Sequence, residues 1–198
     1  MEREKGKELN RAKIRHAAEA IIRNEGMANL TMRRLADDAG VSIATPYNLF
    51  GSKVYVLLSI MLTKQMEFRF TSSAPNGKPA LELMMQSLDS LGDFIGRDEE
   101  FFRSIQREIM IAEDTAAPRG GFLQVTVVLS EFITEAKNNG ELQGSVDVAD
   151  LSRYLATIMF GVQGMWASSF FSNEEAMAHI RRSWIAVLEQ NKAKPEVS

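Results

Sequence analysis

The 198-residue chain contains no cysteine, which excludes disulfides, thiolate metal sites and cysteine nucleophiles. No uninterrupted apolar run approaches the roughly 18 residues of a membrane span. The stretch Met1–Lys13 is charged and has no apolar core, so no signal peptide is expected and the cytoplasm is the default location. Only two histidines occur, His16 and His179, far apart and without partner residues at a catalytic spacing. HExxH, Walker A and GxSxG are all missing, and Gly51-Ser52-Lys53 reproduces only a fragment of a phosphate loop. The paired acids Asp37-Asp38, Glu99-Glu100 and Glu174-Glu175 are sequence neighbours, so they point to different sides of a helix and read as solvated charge. No enzyme, cofactor or metal is expected.

Strand alternation bounded by turn residues is also lacking, and β-branched residues are scattered, so the fold class is all-α. Apolar residues make up 45% and charged residues 25% of the chain, an ordinary balance for a globular protein with a substantial core. A positive surplus is missing too, the formal net charge being −3. That looks unsuited to nucleic acid until the chain is divided. Residues 1–55 hold ten Lys/Arg against seven Asp/Glu, net +3, and the remainder holds thirteen against nineteen, net −6. Attraction to phosphate follows the local surface rather than the whole-chain sum. Alone, the imbalance reads equally as solvated surface or as a basic head.

What is present in that head favours the second. Residues 31–55 read as two short helices around a tight turn, then the start of a third, the layout that places a helix in the major groove of DNA. Thr31 is a suitable N-cap, with Leu30 and Leu35 at the two positions of a hydrophobic staple. Leu35, Ala36 and Ala39 form an apolar stripe at helical spacing. Gly40 supplies the positive φ with which a chain leaves a helix. Val41 plugs the angle between the helices, and Ser42 is positioned to cap a short helix from Ile43 to about Leu49, with Pro46 fourth in it. Gly51 ends that helix and Ser52 is expected to cap the next. Leu35, Val41, Leu49 and Phe50 are expected core.

These residues resemble the TetR family of bacterial transcription regulators. The similarity runs from about Ala17 through Asn24-Glu25-Gly26 and Leu30-Thr31 to Phe50-Gly51-Ser52-Lys53, and the spacing of Tyr47, Phe50, Ser52 and Lys53 is its most specific part. The family often has an aliphatic residue where this chain has Pro46. The resemblance implies a three-helix DNA-binding head over residues 1–55, joined through the helix that starts at Ser52. It implies a six-helix body over residues 56–198 that binds an effector and dimerises. By position, the family's groove-facing residues fall on Ser42, Ala44, Thr45 and Asn48. Thr31, Tyr47 and Lys53 correspond to phosphate holders, and Arg33 to the groove or its edge. Ala44 and the Thr45 methyl suit a thymine methyl, and Asn48 suits a base or a phosphate. Lys53 also lies at a helix N-terminus, whose free amides favour a phosphate. Capping alone would account for Thr31 and Ser42, and core packing for Tyr47.

Beyond Ser52 the periodicity predicts helices over Ser52–Thr71, Ala80–Ile95, Glu99–Glu113, Gly121–Asn139, from an Asp147 cap to Phe171, and from an Asn173 cap to Asn191. Ser72–Pro79 is expected to be a loop and Lys192–Ser198 to fray. Met159, Phe160, Val162, Met165, Trp166, Phe170 and Phe171, with Ile180, Trp184, Ile185 and Leu188, are too many for one helix face. They are assigned either to a homodimer through the last two helices, as the resemblance implies, or to the monomer core. TetR-like bodies usually enclose a small-molecule site. Candidates here are Met84, Phe94, Phe102, Met110, Phe122, Met159 and Trp166 as apolar wall. Arg103, Gln106 and Gln163 are the polar candidates. The same side chains would serve any helical core. The implied function is a ligand-responsive repressor that binds a palindromic operator as a dimer and leaves when a small apolar or aromatic effector binds. A helical protein-interaction module without specific DNA binding is the alternative.

Overall fold

A computed structural model of the chain describes residues 2–67, 78–113 and 116–193. Among these the regular structure is α1 (Glu2–Glu25), a 3-10 turn (Met27–Asn29), α2 (Met32–Ala39), α3 (Ala44–Phe50), α4 (Lys53–Glu67), α5 (Ala80–Gly96), α6 (Glu99–Met110), α7 (Ala116–Asn138), α8 (Val148–Ala167) and α9 (Asn173–Asn191). Within the described residues the one β-type pairing is an isolated bridge between Leu142 and Lys192. The fold is all-α, as the periodicity implied. No helix among them is long and apolar enough to cross a membrane. The expected helix end at Thr71, the loop from Ser72 to Gly77 and the tail after Ala193 lie outside the described residues.

The chain forms two compact units, Met1–Gln65 with Glu100–Pro118, and Met66–Glu99 with Arg119–Ser198. In the first, Ile14, Ala18 and Ile21 of α1, Leu35 and Ala36 of α2, and Val56, Leu57 and Ile60 of α4 are buried. Phe101, Phe102, Ile105 and Ile109 of α6 are buried as well, a stripe at helical spacing. The α6 helix stops at Met110 rather than Glu113.

In the second unit Met84, Leu88, Leu91 and Ile95 of α5, Phe132 and Ile133 of α7, Leu155 and Met159 of α8, and Ile180, Trp184 and Leu188 of α9 make the core. Each of its two tryptophans is held through its indole N–H. The Trp184 indole donates to the Leu155 carbonyl at 3.0 Å, and the Trp166 indole to Glu99 Oε1 at 3.0 Å. The start of α5 follows Pro79, which offers no side-chain cap. Glu141 supplies the missing acceptor, its two carboxylate oxygens receiving the amides of Ala80 (2.6 Å) and Leu81 (3.1 Å). Replacing Glu141 with Ala strands both amides, so urea unfolding of the variant is expected to show a loss of about 1–2 kcal/mol.

Several expected boundaries move, each for a visible reason. The α7 helix begins at Ala116 instead of Gly121, because Pro118 sits third in it, where no intrahelical donor is required. The α8 helix ends at Ala167 instead of Phe171. Ser169 takes φ 63, and the amides of Ser169 and Phe170 turn back to the carbonyls of Trp166 and Met165. The α9 cap is Ser172, not Asn173, and it forms a reciprocal capping box with Glu175. The Ser172 amide and hydroxyl hold the Glu175 carboxyl below its ordinary range. The stability from this cap is therefore present above the unfolded-state value and lost as pH falls through the folded one. Asn173 instead donates its side-chain amide to the Gly92 carbonyl at 2.8 Å. Lys192 and Ala193 are not frayed, since Ala193 donates to the Glu141 carbonyl at 3.1 Å.

Candidate nucleic-acid interface

The turn is built as its residues implied. The Thr31 hydroxyl accepts the Arg34 amide at 3.1 Å, and Leu30 and Leu35 on either side of it are buried. Gly40 adopts φ 65, ψ 40. From there Gly40 donates to the Asp37 carbonyl at 3.2 Å and Val41 to that of Ala36 at 3.0 Å, the paired bonds of a Schellman stop. Such a φ disfavours any residue with a Cβ. Val41 is half-buried against this corner.

The α3 helix starts at Ala44, one residue later than expected, and Ser42 does not cap it. The Ser42 hydroxyl is 2.9 Å from that of Thr45, while Thr45 donates its amide to the Ser42 carbonyl at 2.9 Å. Pro46 is the one buried residue of α3. As the third helical residue it forfeits no intrahelical bond, so the ring fills the inward position at no hydrogen-bonding cost. Leu49 and Phe50 are half-buried beside it. The inward positions are thus 46, 49 and 50. Outward stand Ser42, Ala44 and Asn48, with Thr45 half-exposed. Tyr47 is 52% exposed, which sets aside its core-packing alternative. Ile43, at 52% exposure, joins them and was not among the expected contacts. The face is uncharged, since Ala44–Phe50 contains no Lys or Arg.

The cations around it divide into engaged and free. Arg34 is bonded by Nε to both oxygens of Asp38 (2.9 and 3.0 Å) and by its terminal nitrogens to Glu25 (3.1 and 2.7 Å). It ties α2 to the end of α1. Arg33 next to it is exposed and unpaired among the described residues. Thr31 is exposed. Lys53, first in α4, is paired with Glu108 at 2.5 Å. Ser52 does not cap α4 through its side chain, because its buried hydroxyl has no partner.

The expected effector residues fall in both units. In the first, Phe102 is buried edge-to-face on Phe101 with centroids 5.2 Å apart, and Arg103 and Gln106 are buried. Met110 is 47% exposed and is therefore no wall of an enclosed core. In the second, Met84, Met159, Gln163 and Trp166 are buried, Phe94 is half-buried, and Phe122 meets Phe160 edge-to-face at 5.4 Å. A surface groove of about 660 Å³ between α8 and α9 is lined by Asp150, Tyr154, Ile158, Ala186, Val187 and Gln190, among others. None of the expected effector residues lines it.

Residues 14–60, which contain the whole turn, match the model of the family described as bacterial regulatory proteins, tetR family. The chain is 25% identical over 186 residues to the regulator CymR of Pseudomonas putida, covering 92% of this chain and 90% of that one. It is 29% identical over 107 residues to the repressor KstR of Rhodococcus jostii, and there the match spans 54% of this chain and only half of KstR. Its fold is similar to that of the FadR repressor of Thermus thermophilus, solved in complex with lauroyl-CoA. The TM-score is 0.72 at 21% identity, over 94% of this chain and 97% of FadR. The capped turn, the outward face of α3 and the match over residues 14–60 agree: the head is a helix-turn-helix of the tetR family's type, and the chain is similar to that family's regulators of transcription.

Proposed function

We propose that this regulator represses transcription by occupying a palindromic operator as a homodimer in the cytoplasm, and that a small apolar or aromatic effector releases it. We assign DNA binding to residues 1–55, joined through α4, and effector binding and dimerisation to residues 56–198. The observation that carries the DNA part is the outward face of α3, presented opposite the buried Pro46. Ser42, Ala44, Thr45 and Asn48 face the groove, Thr31, Tyr47 and Lys53 hold phosphates, and Arg33 reaches the groove edge.

Without Arg or Lys, α3 makes no bidentate contact with guanine. Ile43, Ala44 and the Thr45 methyl offer apolar contact to thymine methyls instead, and Asn48 a paired contact to adenine. Replacing thymines with deoxyuridine, one at a time across each half-site, is expected to weaken binding at one or two positions by up to about tenfold. Ile43→Ala should erase part of that effect. Unchanged affinity at every position would overturn the thymine assignment.

Dimerisation is supported by what α8 and α9 leave uncovered. Tyr154, Ile158, Gly161 and Met165 recur at helical spacing and are exposed or half-exposed, and Ile185 and Ala186 of α9 are exposed too. Nothing lies within 4 Å of the space a Cβ on Gly161 would take, which leaves room for a neighbouring backbone. Met159, Trp166, Ile180, Trp184 and Leu188 are buried in the monomer and serve its core.

The effector reading rests on the second unit. Gln163 is 8% exposed and lies one turn from Met159 and Trp166, both buried. A ligand's polar end would bond to the Gln163 amide while the apolar wall took the rest. FadR's lauroyl-CoA is a precedent for an acyl chain on this fold. The test is a heat-shift screen of acyl thioesters, aromatic compounds and polar metabolites, followed by addition of each hit to the DNA complex. An apolar compound that raises the melting midpoint and lowers DNA affinity fits the proposal. Stabilisation by polar metabolites alone would overturn it.

A further inference from the structure

Within the proposed phosphate set, Lys53 is already committed to a carboxylate. Its Nζ stands 2.5 Å from Glu108 Oε1, and the two side chains are only 31% and 25% exposed. Both belong to the first compact unit. Glu108 is no loose surface group, because the α6 helix that carries it is anchored by four buried residues, Phe101, Phe102, Ile105 and Ile109. The Arg23 guanidinium of α1 adds a second fastening, 3.9 Å from the centroid of the Phe101 ring.

The geometry points to Glu108 as a built-in competitor with DNA for Lys53, a residue that sets affinity without touching a base. The inference rests on the assignment of Lys53 as a phosphate holder. An ammonium carries three donors, so it can bridge a carboxylate and a phosphate together. The two anions then lie within a few ångströms of each other and repel. Either Glu108 lets go of Lys53, or the phosphate contact forms weakened. Both routes subtract from binding on every DNA sequence alike, and neither changes which sequence is preferred. Whatever neutralises or turns away Glu108 therefore tightens DNA binding.

The test titrates the full-length protein against a mixed-sequence duplex across a salt series, using the parent, Glu108→Gln, Lys53→Ala and the double variant. Melting midpoints report folding. Glu108→Gln keeps the shape and removes the charge, and it is expected to bind about two- to fivefold tighter. Its slope of log affinity against log salt should steepen by up to about 0.9 as Lys53 is freed. Lys53→Ala should bind more weakly, and the double variant should gain nothing over it. If Lys53→Ala weakens binding while Glu108→Gln leaves affinity and slope unchanged, the competitor is overturned and the Lys53 assignment stands. A gain from Glu108→Gln that persists without Lys53 also overturns it, since the effect is then general charge. If Lys53→Ala binds like the parent, the phosphate assignment falls and the inference with it. Should the glutamine variant melt early, Glu108→Ala, read at a temperature where it is folded, decides the same question.

Discussion

Ile185→Arg is expected to leave the monomer folded and to abolish the dimer. Ile185 is 41% exposed, so its replacement opens no cavity in the core behind it. If α8 and α9 meet their own copies, a two-fold axis brings two new charges into one apolar seam beside Tyr154, Ile158 and Met165. An unpaired charge buried in this way costs about 3–5 kcal/mol, enough to shift association by roughly two to four orders of magnitude. Binding to a palindrome should fall with it. Two linked heads gain a factor on the order of 10²–10⁴ over one from effective concentration, and a monomer forfeits that gain. Sedimentation equilibrium reads the oligomer and a palindrome-against-half-site titration reads the DNA. A variant that stays dimeric with parental affinity would place the seam elsewhere.

Tyr47→Phe is expected to weaken DNA binding about tenfold to a hundredfold on all sequences. The ring of Tyr47 stands outward on α3, and among the described residues its hydroxyl meets no protein group. Losing only that hydroxyl removes a hydrogen bond to a charged phosphate, worth about 1.5–3 kcal/mol. Tyrosine is neutral and releases no counterion, so the salt slope should not change, unlike that of Lys53→Ala. Sequence preference should also be unchanged, in contrast to substitutions at Ile43 or Thr45. Parental affinity for the phenylalanine variant would remove Tyr47 from the phosphate set.

The head was legible because its signals are local. A Thr31 cap, the Leu30 and Leu35 pair and Gly40 each act within a few residues, and all three behave as their chemistry implied. Where the expectation slipped, the deciding partner lay elsewhere in the chain or the competing signal was weaker. Ser42 was a plausible cap, but its hydroxyl went to Thr45. That moved the start of α3 by one residue and turned Ile43 outward. The spacing of Pro46, Leu49 and Phe50 as the inward set would have signalled it. The end of α8 was invisible because Ser169, not glycine, takes the positive φ. At the start of α9 the capping-box spacing of Ser172 and Glu175 prevails over Asn173 as the cap.

Longer-range features left little trace in the sequence. Nothing near Glu108 or Lys53 announces their pairing across 55 positions, and nothing near Glu141 marks it as the cap of α5. The apolar surplus of α8 and α9 was visible as a total. Its division into core and uncovered face required the burial of Met159, Trp166 and Trp184 to be known. Hydrophobicity alone does not distinguish a wall from a rim, as the exposure of Met110 at the end of α6 shows.

Specific DNA binding is tested most directly by selection of bound genomic fragments by the purified protein at two salt concentrations. A dimeric operator-binding regulator yields a shared palindrome with half-sites about one helical turn apart, and affinity that falls steeply as salt rises. No binding at either concentration would contradict it and favour a helical protein-interaction module.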